Sequence, residues 1–276
     1  MVVTDSSGCP EPGAAPPAAV AVVPIIILLA DRQVRDDEID PAVVDTAIAR
    51  GEPVKTRAPS VVDYLDAVES RDAQAAVIVT PAAEVTAMWR HACHTPWLAD
   101  RPVAVVDSRT AAAGQALVVE AAAQAAAAGN SLADVVGVAH DAAARARVIG
   151  AVGTAEPLLA AGVVEREQVE ACGGPRRGRR DGLRPTVFEA RHGQIEPLRV
   201  LDGEDPVDAL AALYARERRA GDPVAFTGAG AGPDVRAMAA RLAALTGSSR
   251  EPAVCSPAMT IHTGRGVLGL AWLDRA

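Results

Sequence analysis

The stretch VVTDSS at residues 2–7 predicts the fold class, because a short β-branched run ends there in a polar turn. Further apolar runs at residues 20–29, 75–80 and 102–106 alternate with segments of helical periodicity. The run at 20–29 has the continuous apolar pattern of a strand that is buried on both faces. Strands that alternate with helices in this way indicate a doubly wound parallel sheet.

Two residues of the first turn are candidate ligand-binding residues. Asp5 and Ser6 would lie at the carboxyl end of the first strand, where open α/β sheets bind their ligands. The same residue types favour helix N-caps, and the two roles are compatible. Thr56 is a further candidate, because it lies in a predicted exposed loop at residues 55–60 and has no obvious structural role.

The pattern changes near residue 151, where we place a boundary between domains at residues 1–151 and 152–276. In the first domain, helices are predicted at residues 41–49, 61–70, 83–94, 111–128 and 131–146. In the second domain, strands are predicted at residues 183–190, 194–201 and 223–227, helices at 157–161, 205–220 and 234–245, and a final strand with its loop from Ala258 onward. The second domain is therefore predicted to be mixed α/β.

Composition excludes several classes of function. The chain has 276 residues, half of them apolar, and a net charge of −8, which argues against a nucleic acid or an anionic membrane as the main partner. Four cysteines lie far apart, which favours reduced thiols in the cytoplasm over a disulfide framework. The apolar run at residues 20–30 is too short to span a bilayer and contains Pro24, so no membrane insertion is expected.

The stretch TIHTGRGVLG at residues 260–269 suits an anionic ligand. Gly264 and Gly266 allow a tight turn, and backbone N–H groups, the hydroxyl of Thr263 and the imidazole of His262 all favour negative charge. The alternative is a plain strand-to-helix turn with an incidental histidine. We take His262, Thr263 and Gly264 as candidate ligand-binding residues.

Other motifs suggest different chemistry. The glycine-rich loop Gly228–Gly232 lies between a predicted strand and a predicted helix, as in nucleotide-binding proteins, but it has no third glycine in register and no P-loop lysine. His91, Cys93 and His94 resemble a metal cluster, yet only the two histidines share a helix face, and we predict no metal. No Ser-His-Asp order or G-x-S-x-G motif indicates a hydrolase. A basic loop that could dock an acidic partner contains Arg176, Arg177, Arg179 and Arg180.

Seven short stretches, in order along the chain, resemble motifs of the DegV family. They are TDSS at residues 4–7, VVP at 22–24, TRAPS at 56–60, VVDS at 105–108, LRP at 183–185, HGQI at 192–195 and HTGRGVLG at 262–269. The last resembles the family pattern H-x-G-P-G-x-x-G, and the third resembles T-S-x-P-S. The resemblance extends from residue 4 to residue 269 and therefore covers the whole chain.

This resemblance implies two α/β domains with a long-chain fatty acid between them. It implies a carrier without catalytic residues or cofactor, in which an apolar tunnel holds the acyl chain and polar residues hold the carboxylate at its mouth. By position, Thr56 and His262 match the carboxylate-holding residues, and Thr80 has a hydroxyl where the family has serine. The resemblance also implies a separate kinase that phosphorylates the bound fatty acid.

Some family positions differ in this chain. Pro81 and Glu84 stand where the family has serines, and an inward-pointing Glu84 would repel an anion. The stretch at residues 162–165 lacks an arginine of the family, and Arg265 replaces a proline. Two alternatives to the carrier therefore remain open. One is a nucleotide-using enzyme that acts through Gly228–Gly232, and the other is a degenerate family member with only protein contacts.

Overall fold

The protein is described here by a computed structural model, which covers residues 1–8, 20–174, 184–217, 220–264 and 266–275. The strands are β1 (Val2–Asp5), β2 (Val20–Val23), β3 (Ile26–Leu28), β4 (Gln33–Arg35), β5 (Lys55–Arg57), β6 (Ala76–Thr80), β7 (Val103–Asp107), β8 (Ala146–Val152), β9 (Thr186–Arg191), β10 (Gln194–Val200), β11 (Val224–Thr227), β12 (Ala253–Val254) and β13 (Leu268–Leu273). The helices are α1 (Pro41–Ala49), α2 (Val61–Glu69), α3 (Met88–Ala92), α4 (Ala113–Ala127), α5 (Leu132–Arg145), α6 (Glu156–Ala160), α7 (Arg166–Ala171), α8 (Pro206–Tyr214), α9 (Pro233–Thr246) and α10 (Pro257–Thr263).

The first sheet has the strand order β2-β1-β6-β7, and all its strands are parallel. Val77 and Val79 of β6 pack with α4 and α5 on one face, while Ala76 and Ile78 pack on the other face with Tyr64 of α2. Because both faces are covered, every residue of β6 is buried. The predicted doubly wound parallel sheet is confirmed.

The second sheet has the order β10-β9-β8-β13-β11-β12 and is mixed, since β11 pairs in parallel with β12 and the other neighbours are antiparallel. Residues of β8 alternate between its two faces. Val148 and Val152 lie in a core cluster on the inner face, whereas Ile149 and Ala151 pack on the outer face with residues of α8 and α9. The mixed α/β character predicted for the second half is confirmed.

A third, small sheet of order β4-β3-β5 corrects two expectations. The apolar run at residues 20–29 is not one strand, because it splits into β2 of the first sheet and β3 of the small sheet on either side of Pro24. Proline has no N–H to donate to a ladder, so it marks the change of sheet. The predicted loop at residues 55–60 begins with β5, and Thr56 lies in that strand opposite Ile27.

Other predicted bounds also differ. The helix expected at residues 83–94 is only α3, and the helix expected at 205–220 ends at Tyr214. The segment from Ala258 is a helix, α10, because Pro257 at its first turn favours helix initiation over a strand ladder. The two large sheets divide the chain between α5 and β8, so residue 151 of the expected domain boundary falls inside β8.

Within the residues that the structure describes, no helix is both long enough and apolar enough to cross a membrane.

Candidate ligand-binding site

A cavity of about 320 Å³ lies between the inner face of the second sheet and segments from the first half of the chain. Its volume is at the lower end of the range for small-molecule sites. The apolar residues that line it include Ile25, Ala58, Pro81, Val85, Met88, Ala112, Val148, Leu158, Val163, Phe188, Ile195, Phe226 and Met259. The described polar residues that line it are Ser7, Thr56, Thr86, His262 and Thr263, and none of the described lining residues is Asp, Glu, Lys or Arg. We call this space the central cavity.

Thr56 and His262 form the main polar pair of the central cavity. Oγ1 of Thr56 lies 2.8 Å from Nε2 of His262, although the two residues are 206 positions apart in the chain. Burial lowers the pKa of His262, so its imidazole is neutral at pH 7. A hydroxyl and a neutral imidazole each offer one N–H or O–H donor, which suits a carboxylate without placing a fixed charge in an apolar space.

Helix α10 and strand β5 position this pair. Ala258 and Ile261 of α10 pack with the small sheet, which contains β5, and this packing turns His262 toward Thr56. Gly264 ends the helix with φ of +78°, a value that favours glycine. Thr263 also lines the central cavity, but its hydroxyl lies 3.0 Å from the carbonyl oxygen of Met259 and donates to it. The single hydroxyl proton of Thr263 is therefore already used within α10.

Asp5 does not line the central cavity but anchors a fully buried network behind it. Its Oδ2 accepts a hydrogen bond of 3.2 Å from the Tyr64 hydroxyl, and its Oδ1 accepts one from the Ser7 hydroxyl. The amide of Gln115 reaches the same carboxylate at 3.4 Å. Burial raises the pKa of Asp5 above its usual value. Sequence reasoning missed Ser7, which joins this network to the cavity wall.

Ser6 is likewise turned away from the central cavity. Its hydroxyl donates to Oδ2 of Asp36 at 2.6 Å and accepts from the backbone N–H of Ile25 at 3.0 Å. Oδ1 of Asp36 accepts from the same N–H at 3.1 Å, and burial raises the pKa of Asp36 to about 6. Ser6 thus joins the end of β1 to the start of the small sheet.

Thr80 is fully buried at the end of β6 and is not among the residues that line the central cavity, whereas its neighbour Pro81 is. Among the described atoms, the Thr80 hydroxyl has no hydrogen-bond partner. The structure therefore brings Thr56, His262 and Thr263 to one cavity, with Gly264 directly beyond. It leaves Asp5, Ser6 and Thr80 in the protein interior.

Glu84 is exposed and does not line the central cavity. Its carboxylate lies against Gly193 in the β9–β10 turn, where a methyl group on Gly193 would be 2.6 Å from Oε2. Arg109 stabilises the same turn, since its carbonyl accepts from the Gly193 N–H at 2.8 Å and its guanidinium donates to the carbonyl of His192 at 3.1 Å. The side chain of Glu84 is thus turned toward this turn and not toward the pair Thr56–His262.

We therefore expect Glu84→Ala to leave ligand affinity unchanged within about twofold, because the carboxylate faces the β9–β10 turn and solvent screens its charge. A titration of wild type and variant with one ligand of the central cavity checks this. Clearly tighter binding by Glu84→Ala would show that the carboxylate reaches the ligand in solution.

The glycine-rich loop Gly228–Gly232 borders a separate cavity of about 220 Å³ at the start of α9. The carboxylate of Asp45 lies against this loop, because a methyl group on Gly230 would be 2.8 Å from Oδ2. The Asp45 side chain therefore occupies space beside the loop, in the cavity that a nucleotide phosphate would have to enter. The loop motif alone could not predict that Asp45 of α1 lies beside it, since the two are far apart in sequence.

Of the remaining candidates, the cluster of His91, Cys93 and His94 has no metal-binding geometry among the described residues. Nδ1 of His91 lies 2.7 Å from the carbonyl oxygen of Pro59, so this ring nitrogen already has a hydrogen-bond partner. Over the part of the chain that the structure describes, no group of three or more His, Cys, Asp or Glu side chains could hold a metal ion. The basic loop with Arg176, Arg177, Arg179 and Arg180, and likewise Arg265, lie outside the described residues.

Comparisons with known proteins relate the chain to one family. A sequence model of the DegV family, described as uncharacterised proteins, matches residues 1–177. A comparison with curated proteins found no match. A fatty acid kinase B3 protein from Streptococcus pneumoniae, solved with linoleic acid, is 20% identical with a TM-score of 0.82 over 99% of this chain and 98% of that one.

Two further solved structures are similar over 99% of both chains. One is a DegV family protein from Thermus thermophilus described as fatty acid binding, with 21% identity and a TM-score of 0.79. The other is a DegV family protein from Eubacterium eligens loaded with heptadecanoic acid, with 17% identity and a TM-score of 0.81. At these identities the likeness establishes a shared fold over the whole chain.

Proposed function

Because the chain belongs to the DegV family, we propose that it binds a long-chain fatty acid in the central cavity, with the carboxylate at Thr56 and His262. The observation that carries this proposal is the cavity itself, whose described lining is apolar apart from hydroxyls and one neutral imidazole. Three similar structures are described as fatty-acid-binding proteins or contain a fatty acid. Such a lining suits a ligand with a long apolar part and one polar end.

The energetics of this site separate affinity from orientation. Each buried methylene contributes about 0.8 kcal/mol, so a sixteen-carbon chain contributes on the order of 10 kcal/mol before ordering costs. The carboxylate then needs only hydrogen bonds, and the pair Thr56–His262 supplies two donors once the ligand replaces their mutual contact. Burial of the acyl chain therefore supplies most of the affinity, while the pair orients the ligand with its carboxylate at Thr56 and His262.

The proposed role is that of a carrier and not of an enzyme. The Thr56 hydroxyl lies within hydrogen-bond reach of the His262 imidazole, but none of the described residues that line the central cavity is an Asp or Glu that could orient the imidazole as in a catalytic triad. The similar protein from Streptococcus pneumoniae is described as a fatty acid kinase B3 protein, which supports presentation of the carboxylate to a separate kinase. Among the described residues, Cys93, Cys172 and Cys255 form no disulfide, which supports a location in the reducing cytoplasm.

The test is extraction of the purified protein with organic solvent, followed by mass spectrometry. We expect a long-chain fatty acid in near-stoichiometric amount, because burial of its chain makes dissociation slow during purification. Stripped protein should bind added palmitate or oleate again. Absence of extracted lipid together with no binding of either acid would contradict the proposal and favour a family member that acts only through protein contacts.

A further inference from the structure

The inner face of the second sheet carries a row of four residues with an unusual pairing. Across neighbouring strands, Phe188 of β9 lies opposite Gly150 of β8, Gly150 lies opposite Gly269 of β13, and Gly269 lies opposite Phe226 of β11. The row spans three strand spacings, which is about 14 Å. Two aromatic residues thus flank two adjacent glycines in the middle of the sheet.

Each phenylalanine ring covers the glycine beside it. A methyl group on Gly150 would lie 2.5 Å from Cζ of Phe188 and 2.8 Å from Cε1, and one on Gly269 would strike the ring of Phe226. Aromatic rings that cover a glycine in this way protect the strand from water and lie nearly flat on the sheet. The two rings therefore extend toward each other from the two ends of the row.

The same two rings line the central cavity. The sequence contains two phenylalanines in total, and both belong to the cavity wall. Both are nearly fully buried and pack in one cluster with Val148 and Leu158, which also line the cavity. Because glycine lacks a side chain, the space above Gly150 and Gly269 is set by how closely the rings approach the strands.

We propose that Phe188 and Phe226, held flat by Gly150 and Gly269, determine which acyl-chain lengths the cavity accepts. This inference rests on the proposed function, since it specifies the acyl part of the same site. A smaller residue such as leucine in place of either ring does not reach over the neighbouring glycine and so deepens the cavity there. A side chain on Gly150 instead lifts the Phe188 ring off the sheet and into the space that the acyl chain uses.

The test compares affinities for saturated acids from twelve to twenty carbons, with Phe188→Leu, Phe226→Leu and Gly150→Ala against wild type. Each additional buried methylene multiplies affinity by about four. The Leu variants should therefore bind longer acids better relative to shorter ones. The ratio of the two affinities should rise about fourfold for each additional methylene that the enlarged cavity buries. Gly150→Ala should lower the ratio, and Gly150→Ala/Phe188→Leu should return it toward wild type because the smaller side chain leaves room for the methyl group.

Two control variants distinguish an effect of cavity shape from a general effect on protein stability. Gly137→Ala adds a methyl group on α5 where nothing lies within 4 Å, and Leu242→Val truncates a buried residue of α9 that packs on the outer face of the second sheet. Neither control variant should change the preference for acyl-chain length. If Gly150→Ala does not fold, the two Leu variants still decide the question.

An unchanged length profile in the Leu variants, with wild type binding normally, would overturn the inference and leave the proposed function intact. Failure of wild type to bind any acid would instead contradict the proposed function itself.

Discussion

Thr56→Val and His262→Ala are each expected to weaken fatty-acid binding by about 10- to 150-fold, the scale of a hydrogen bond to a charged group. The loss should be partial, because the acyl chain supplies most of the affinity. The two side chains lie 2.8 Å apart and would share one carboxylate, so the double variant should lose less than the sum of the single losses. Titration of the four proteins with one fatty acid measures this coupling.

Two controls test whether the interaction lost in these variants is the one with the ligand carboxylate. The methyl ester of the same acid has no anion, so its affinity should hardly respond to either change. Thr263→Val is the matched variant, since Thr263 lines the same cavity but donates its hydroxyl proton to Met259. If Thr56→Val and His262→Ala bind the acid as wild type does, the assignment of the carboxylate to this pair is wrong.

The second large effect is a loss of stability with rising pH caused by Asp36. Burial raises the pKa of this residue to about 6, so the folded protein keeps a proton that the unfolded chain releases above pH 4. The free energy of unfolding should therefore fall as pH rises from about 4 to 6. At pH 7 the penalty reaches about 3 kcal/mol, from a shift of about two units at 1.4 kcal/mol each.

Asp36→Asn should remove this pH dependence, because an amide can accept from the Ile25 N–H and donate to the Ser6 hydroxyl without a charge. Urea unfolding between pH 4 and 8 measures the difference, which should grow with pH in favour of the variant. A residual slope of the same sign is expected from buried Asp5. Parallel curves for the two proteins would contradict the assignment, and exposed Asp31→Asn is the control.

The first sheet was predictable from sequence because its strands are buried on both faces and therefore give continuous apolar runs. The small sheet was not, since β4 and β5 are short, polar strands without alternation of apolar residues. Helix α10 was mistaken for a strand because Thr260 and Ile261 are β-branched, a local preference that packing against the small sheet overrides.

The candidate site was only partly predictable. Thr56 and His262 were paired through the family resemblance, because no local pattern connects residues 206 positions apart, and their binding role stays a prediction. Ser7 was missed beside Asp5, since the sequence does not show which residue of a turn faces a cavity. The row of Phe188, Gly150, Gly269 and Phe226 depends on the register of four strands, and its one sequence signal was Gly269 inside the predicted final strand.

The place of β13 between β8 and β11 has a consequence for synthesis on the ribosome. While the chain is still being translated, the strands of the first sheet can already pair, since all of them precede residue 108. The second sheet stays in two pieces until β13 emerges, because β8 and β11 each pair with β13 and not with each other. The nascent protein therefore exposes apolar strand surface of the second sheet from the emergence of β8 until that of β13, and we expect chaperones to bind it in that interval.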